Sequence, residues 1–249
     1  MRLTELASPQ RLVVGDPVAA RGLALALLTA VISGFAVFLN AHAVRQFPSP
    51  TVYTALRVAL VGAALVALLA ARPGRSVQEV RRLAPRHRLG LLALGAIGGS
   101  VPFVLFFEGL GRVASGDAAF IHKTLFLWVA VLAVAFLRER LGWGQVGALG
   151  LLLLAQVLMG GPGALRPGAA EALVLAATLL WAVEVVLARR LLRGAVSAPL
   201  GAAARMGVGG ALLLGYLGVT GRLEAVGQLT AVQWGWVLGT AAVLFGYVG

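Results

Sequence analysis

Ala118-Ala119-Phe120-Ile121-His122-Lys123-Thr124-Leu125-Phe126-Leu127-Trp128-Val129-Ala130-Val131, running on through Ala135 to Leu137-Arg138-Glu139-Arg140-Leu141, is apolar and long enough to cross a bilayer as a helix, yet it carries Lys123 about a third of the way in. An ammonium at such a depth costs roughly 2.5–3.5 kcal/mol on insertion scales, so it needs a reason. The chain holds 20 arginines and this one lysine. Lysine differs from arginine in being a compact charge that gives up its proton readily when desolvated, which suits a group that gains and loses a proton or a ligand. The competing structural reading is that Lys123 snorkels to the nearer surface or pairs with a carboxylate.

Composition sets the class. A hydrophobic fraction of 60%, only 12% charged residues and a mean hydropathy of +0.93 exceed what a compact domain of 249 residues can hide from water, so the chain is a polytopic membrane protein. The net charge of +12 does not point to nucleic acid, because most of the arginines flank apolar spans, where they act as topology signals and anionic-lipid contacts. With no cysteine and three scattered histidines, disulfides, thiolate chemistry and a zinc site are not expected, nor is any cofactor.

From the quoted segment outward, eight apolar stretches are predicted to be membrane helices: Gly22 to Ala41, Thr51 to Ala71, Leu89 to Leu110, Gly116 to Phe136, Gly142 to Gly160, Ala169 to Ala188, Ala198 to Gly218 and Ala231 to Gly249. Residues 1–21 form a weakly basic tail without the plan of a cleaved signal peptide, Arg72 to Arg88 a basic loop, and 161–168, with its Pro and Gly residues, a linker between two halves. The tail and the loops after spans two, four and six carry 14 arginines, against 4 in the alternate loops. Positive loops stay inside, which predicts a cytoplasmic N-terminus in the plasma membrane.

Arg57 and Arg205, both within spans and 148 positions apart, expose an internal repeat. Ser49-Pro50-Thr51-Val52-Tyr53-Thr54-Ala55-Leu56-Arg57 compares with Ala198-Pro199-Leu200-Gly201-Ala202-Ala203-Ala204-Arg205, each followed by a Gly-Ala five residues beyond the arginine. At the same offset Leu25, Leu27, Gly34 and Val37 of span one fall on Leu173, Leu175, Ala182 and Val185 of span six. Five spans per repeat is an odd number, so the second copy enters from the opposite side: residues 22–160 form the first repeat and 169–249 a second one with three spans, an inverted five-plus-five plan with the second half incomplete. The chain ends inside the sequence matching span three, which predicts a fragment of a ten-helix protein.

Six polar residues inside the apolar spans are candidates for substrate or coupling work. Glu108 and Lys123 are predicted to lie within reach of one another across the turn between spans three and four, as a coupling pair or as a static ion pair. Arg57 and Arg205 are read first as anchors reaching toward headgroups and second as anion sites. Glu184 is predicted to pair with Arg189 or Arg190, or to serve as a proton site. His122, about 100° around the helix from Lys123, is read as a cavity-lining or interhelical hydrogen-bonding residue rather than part of a joint unit. Glu139, between two arginines, reads as an interfacial salt bridge. Gly95 and Gly99, and Gly235 and Gly239, have the spacing that lets helices approach closely.

Leu137-Arg138-Glu139-Arg140-Leu141, the paired Arg57 and Arg205, Trp181-Ala182 and the inverted plan together resemble the EamA-type transporters of the drug/metabolite transporter superfamily, over about residues 22 to 249. The resemblance implies a ten-helix secondary carrier that moves small metabolites such as amino acids, sugars or related compounds, often outward, without a cofactor; proton coupling is an option that Lys123 and Glu184 themselves raise. Ser33 stands where the family's first span usually has Trp, and Arg138 where it has Gly. The rival readings are an intramembrane enzyme acting on lipid or peptide and a non-transporting scaffold. Ser33, Ser100 and Ser115 lie outside Gly-x-Ser-Gly and Gly-x-Ser-x-Gly contexts, and a scaffold explains neither Lys123 nor the repeat.

Overall fold

A computed structural model of the chain describes residues 17–71, 73–138, 141–160, 168–192 and 196–248. Among them the secondary structure is entirely helical: α1 (Pro17–Val44), α2 (Pro50–Ala70), α3 (Pro73–Arg82), α4 (Pro85–Gly99), α5 (Val101–Leu110), α6 (Ser115–Lys123), α7 (Leu125–Leu137), α8 (Trp143–Gly160), α9 (Ala169–Leu192), α10 (Ala198–Val219), α11 (Glu224–Gly227) and α12 (Ala231–Val248). Six of the expected spans are long and apolar enough to cross a membrane; the places of spans five and eight are held by shorter apolar helices, Trp143–Ala155 within α8 and Ala231–Gly246 within α12. The tail to residue 16, Glu139 and linker residues 161–167 lie outside the described residues.

Two spans are broken where one helix each is expected. Span three divides at Ser100, because Pro102 has no N–H to give the Gly98 carbonyl four residues back and its ring crowds that turn. Span four divides at Thr124, whose hydroxyl bonds the Ile121 carbonyl at 2.7 Å, a back-bond that bends helices. The basic loop contains a helix: α3 opens on Pro73, and a second N-terminal proline, Pro85, starts α4.

The core runs along α2 and α10, which pack along their length, with Tyr53, Met206 and Leu217 fully buried between neighbours. A Cβ on Gly62 would lie 2.9 Å from the Cα of Gly207, and one on Gly210 would lie 2.7 Å from the Cα of Ala59. Residue numbers fall along one helix as they rise along the other, so the two run antiparallel. Shifting by the 148-residue offset between Arg57 and Arg205 turns Gly62 into Gly210 and Gly207 into Ala59, so this contact maps onto itself. The remaining packing follows the same exchange: α4 and α5 on α9 answers to α12 on α1, and α4 on α10 answers to α12 on α2. Of the close-approach glycines, Gly95 and Gly99 meet α10, whereas Gly235 and Gly239 have open space beside them. Leu23, Leu25, Val31, Phe35 and Phe38 leave α1 with a broad exposed apolar face, as lipid contact requires.

Candidate functional site

The break at Ser100 shapes the centre of the molecule. The Gly98 carbonyl freed by Pro102 accepts a hydrogen bond from Trp181 Nε1 at 3.2 Å, tying α4 to α9. Beyond the break, α5 directs Phe103, Phe106 and Phe107 inward, and Trp181 meets Phe103 at 5.2 Å and Phe106 at 5.4 Å between ring centroids. These rings line one side of a cavity of about 310 Å³ between α1, α2, α5, α6, the start of α7, α9, α10 and α12, at the low end of the ~300–1,000 Å³ usual for small-molecule pockets. Its polar wall consists of Ser33, Asn40, Arg57, His122, Glu184 and Arg205.

Both arginines point into this centre, which corrects the expectation that they anchor to headgroups. Arg57 lies on the side of α2 that turns to α1 and α5, away from lipid. It is 3% exposed, donates from Nη1 to Asn40 Oδ1 at 2.5 Å, and lies over the rings of Phe107 (4.7 Å), Phe103 (5.7 Å) and Tyr53 (5.7 Å). Its Nε is buried without a partner. Arg205, one 148-residue offset on, lies 5.9 Å from the same Phe103 ring, so the two cations share one aromatic neighbour. Its Nε is 3.2 Å from Glu184 Oε1, an ionic contact off hydrogen-bond geometry. Glu184 thus pairs across to α10, not with Arg189 or Arg190 in its own last turns. A Cβ on Gly98 would lie 2.4 Å from Glu184 Cγ, so the bare backbone of α4 holds that side chain toward Arg205. Arg190 donates instead to the Phe136 carbonyl.

His122 and Lys123 diverge as their spacing predicts. The imidazole lies 5.1 Å from the Phe106 ring and 5.0 Å from that of Trp181, in the cavity wall, with Nδ1 buried and unpartnered. Lys123 reaches the wall only through Ser33, whose Oγ accepts from Nζ at 3.2 Å. The expected Glu108–Lys123 pair does not form. Glu108 accepts from Thr51 Oγ1 (2.8 Å) and pairs with Arg112 (2.9 Å), one helical turn on, because its face of α5 turns to α2 while Lys123 turns to α1. Glu108 accordingly lies apart from the cavity.

Several wall residues are not among the sequence candidates. Asn40 Oδ1 accepts from both Arg57 and the Tyr53 hydroxyl (2.5 Å each), and that hydroxyl is 2.8 Å from Thr240 Oγ1, so a buried polar chain joins α1, α2 and α12. A lone amide in the last turns of an apolar span is a readable signal; Tyr53 and the phenylalanines are not. Ser33 lies one offset before Trp181, so the cavity has a serine in one half where the other has an indole. Arg138, the other departure from the family pattern, caps α7 with φ 52° and ψ 34°, the left-handed conformation for which glycine is the usual residue. Among the described residues no three His, Asp or Glu side chains converge as a metal site would need.

No curated protein matches the chain. The family model of the EamA-like transporter family matches residues 20–161, more than half of the sequence. An all-helical bundle of membrane-length helices, with a polar cavity at its centre and this match, identifies the chain as a member of the EamA-like transporter family of the drug/metabolite transporter superfamily, an integral membrane protein whose relatives are transporters rather than enzymes.

Proposed function

We propose that the protein is a secondary carrier that exports small metabolites, amino acids or related compounds, across the cytoplasmic membrane, with its N-terminus inside and its substrate held in the central cavity between a first repeat (22–160) and a second (169–249). The observation that carries this reading is the cavity itself: it is lined by residues of both proposed repeats, with one arginine from each, and is walled by aromatic rings. Carriers of inverted-repeat design bind at the interface between their repeats, and alternating access is a rocking of one half against the other. Arg57, Arg205 and Glu184 are the substrate-contacting candidates, His122 a hydrogen-bonding one, and Lys123 with Ser33 a site for coupled proton movement. Glu108 is assigned to holding the end of α5 on α2.

Proteoliposome uptake of amino acids and small organic acids, with and without a pH gradient, tests the reading. Saturable flux that Arg205→Gln abolishes at normal expression supports it, and its absence across the panel refutes it. In the same assay Lys123→Ala is expected to abolish gradient-driven flux while leaving exchange, and Lys123→Arg to rescue poorly, because guanidinium is larger and keeps its proton.

One observation favours an intramembrane hydrolase, the 3.2 Å contact between Ser33 Oγ and Lys123 Nζ, since a serine beside a lysine is a known nucleophile–base pairing. Ser33 lies in mid-helix, where neighbouring N–H groups are engaged in the helical ladder and leave no donors for an oxyanion. Covalent labelling of Ser33 by a fluorophosphonate would revive that reading.

A further inference from the structure

The repeat supplies one arginine per half to the cavity, but the two have different company. Arg205 has a carboxylate beside it, Glu184 at 3.2 Å. Arg57 has an amide oxygen and three aromatic rings, with no acidic side chain of the described residues against it and with Nε unpartnered. Both contacts reach back from the arginine's span to the span before it, Arg57 to Asn40 and Arg205 to Glu184, but four residues out of register at the 148-residue offset, where Asn40 falls on Ala188 and Glu184 on Ala36, so the two arginines are met by an amide and by an acid from different positions. Asn40 Oδ1 already accepts two hydrogen bonds and has little left to offer. Arginine cannot shed its proton, and a guanidinium 3% exposed without a counter-anion is costly. The bundle therefore holds a buried positive charge that a ligand can neutralise.

The chemistry of that ligand follows from the walls. The guanidinium fork matches a carboxylate with two parallel hydrogen bonds. The remaining lining near it is apolar, with Phe103, Phe106, Phe107, Leu125, Val243 and Leu244. Glu184 is engaged by Arg205, so the cavity offers no free acid for an ammonium group. Resting on the carrier reading above, we infer that Arg57 receives the carboxylate of the transported compound, and that this compound is a carboxylate on an apolar, branched or aromatic body. Amino acids and simple organic acids share that chemistry.

Thermal stabilisation of the purified full chain in detergent separates the cases with three probes: L-phenylalanine, 3-phenylpropionate, which lacks the ammonium, and phenylalaninamide, which lacks the carboxylate. The two carboxylates are expected to raise Tm saturably and the amide is not; stabilisation by 3-phenylpropionate equal to that by phenylalanine assigns organic acids, and by phenylalanine alone assigns amino acids, either result supporting the inference. Arg57→Gln is expected to abolish the shift. Asn40→Asp covers the event that this variant fails to fold, because it installs a carboxylate on Arg57 at the place the amide oxygen occupies, with the loss of the bond from Asn40 Nδ2 to the Ala36 carbonyl, from which the second Asp oxygen must turn away. It is expected to raise the Tm of the unliganded protein while weakening carboxylate binding by about tenfold or more. A merely structural arginine predicts the first effect without the second. Equal stabilisation by phenylalaninamide, none by either carboxylate, or unchanged carboxylate affinity in Asn40→Asp overturns the inference. Carboxylate binding without flux in proteoliposomes would sink the carrier reading alone, and Arg57-independent flux of a compound with no carboxylate would sink this inference alone.

Discussion

Adding one methyl group at Gly209 tests whether α4 and α10 meet backbone to backbone. A Cβ there would lie 2.4 Å from the carbonyl carbon of Gly99, and ordinary contact begins at 3.4 Å, so the helices must separate by about 1 Å or the methyl cannot be housed. The atom in the way belongs to the main chain and has no rotamer to change. Overpacking costs about 1–3 kcal/mol, and a main-chain obstacle puts this one at about 2–3 kcal/mol, against which alanine in place of a mid-helix glycine contributes about 1 kcal/mol of helix propensity, leaving a net loss of roughly 1–2 kcal/mol. Gly215 on the same helix is the internal control, since a Cβ there meets nothing within 4 Å and Gly215→Ala therefore shows the propensity gain alone. At about 2–4 °C per kcal/mol, Gly209→Ala is expected to lower Tm in detergent by roughly 2–8 °C and Gly215→Ala to raise it by up to about 4 °C. Because Arg205 and Glu184 sit beside the same crossing, Gly209→Ala should also weaken any ligand of the cavity. A Gly209→Ala Tm equal to or above wild type, or equal losses in both variants, would refute the close-crossing argument.

Other outcomes follow from single features. Arg138→Gly relieves a left-handed backbone at the end of α7 and is expected to stabilise by about 1 kcal/mol, read as a Tm rise of a few degrees. Glu184→Gln leaves Arg205 without its carboxylate and is expected to cost roughly 3 kcal/mol, with much of the loss recovered in Glu184→Gln/Arg205→Gln; a double variant as unstable as the single would show that the pair is not coupled. Tyr53→Phe removes the hydroxyl that joins Asn40 to Thr240 and should cost about 1–2 kcal/mol in denaturant titration. The chain has no cysteine, so single cysteines report topology cleanly: those at Arg75 and Arg193 should label from the cytoplasm and those at Gly163 and Leu223 from outside, and labelling of Gly163 from the cytoplasm would overturn the proposed orientation.

What was legible in the sequence is what depends on one residue and its near neighbours. The apolar spans announce themselves by length, and Arg57 and Arg205 stand out because a charge in such a run is rare and the two share an offset. Pro102 carried a signal that reading span three as one helix leaves unused, since a proline deep in a span breaks it and frees the Gly98 carbonyl to accept from Trp181. Partnerships were hidden. Glu184 has two arginines in its own next turns, so a local reading pairs it there, and only the crossing of α9 and α10 brings Arg205 nearer. Lys123 drew attention as the one lysine, yet its partner Ser33 is 90 residues away on a helix whose rotation no periodicity fixes. Phe103 and Phe107 belong to a run equally suited to lipid or to a cavity, and only the break at Ser100 decides which way they face. Helix α3 was readable from its Pro73 start but masked by a charge pattern that also suits a solvated loop.

The contact of α2 with α10 has a consequence for how such a chain associates. A patch that meets its own equivalent, Gly62 on Gly207 and Gly210 on Ala59, is self-complementary in the sense used for isologous dimers, with the two-fold axis lying inside one polypeptide. Two copies of a half-length chain, inserted in opposite orientations, would carry the surface needed to form the same crossing without any linker. Fusion of the copies then frees each position from having to serve both sides of the axis. Asn40 against Ala188, Ala36 against Glu184, and Ser33 against Trp181 are differences that a symmetric pair could not encode, and Ser33, Ala36, Asn40, Trp181 and Glu184 all line the cavity.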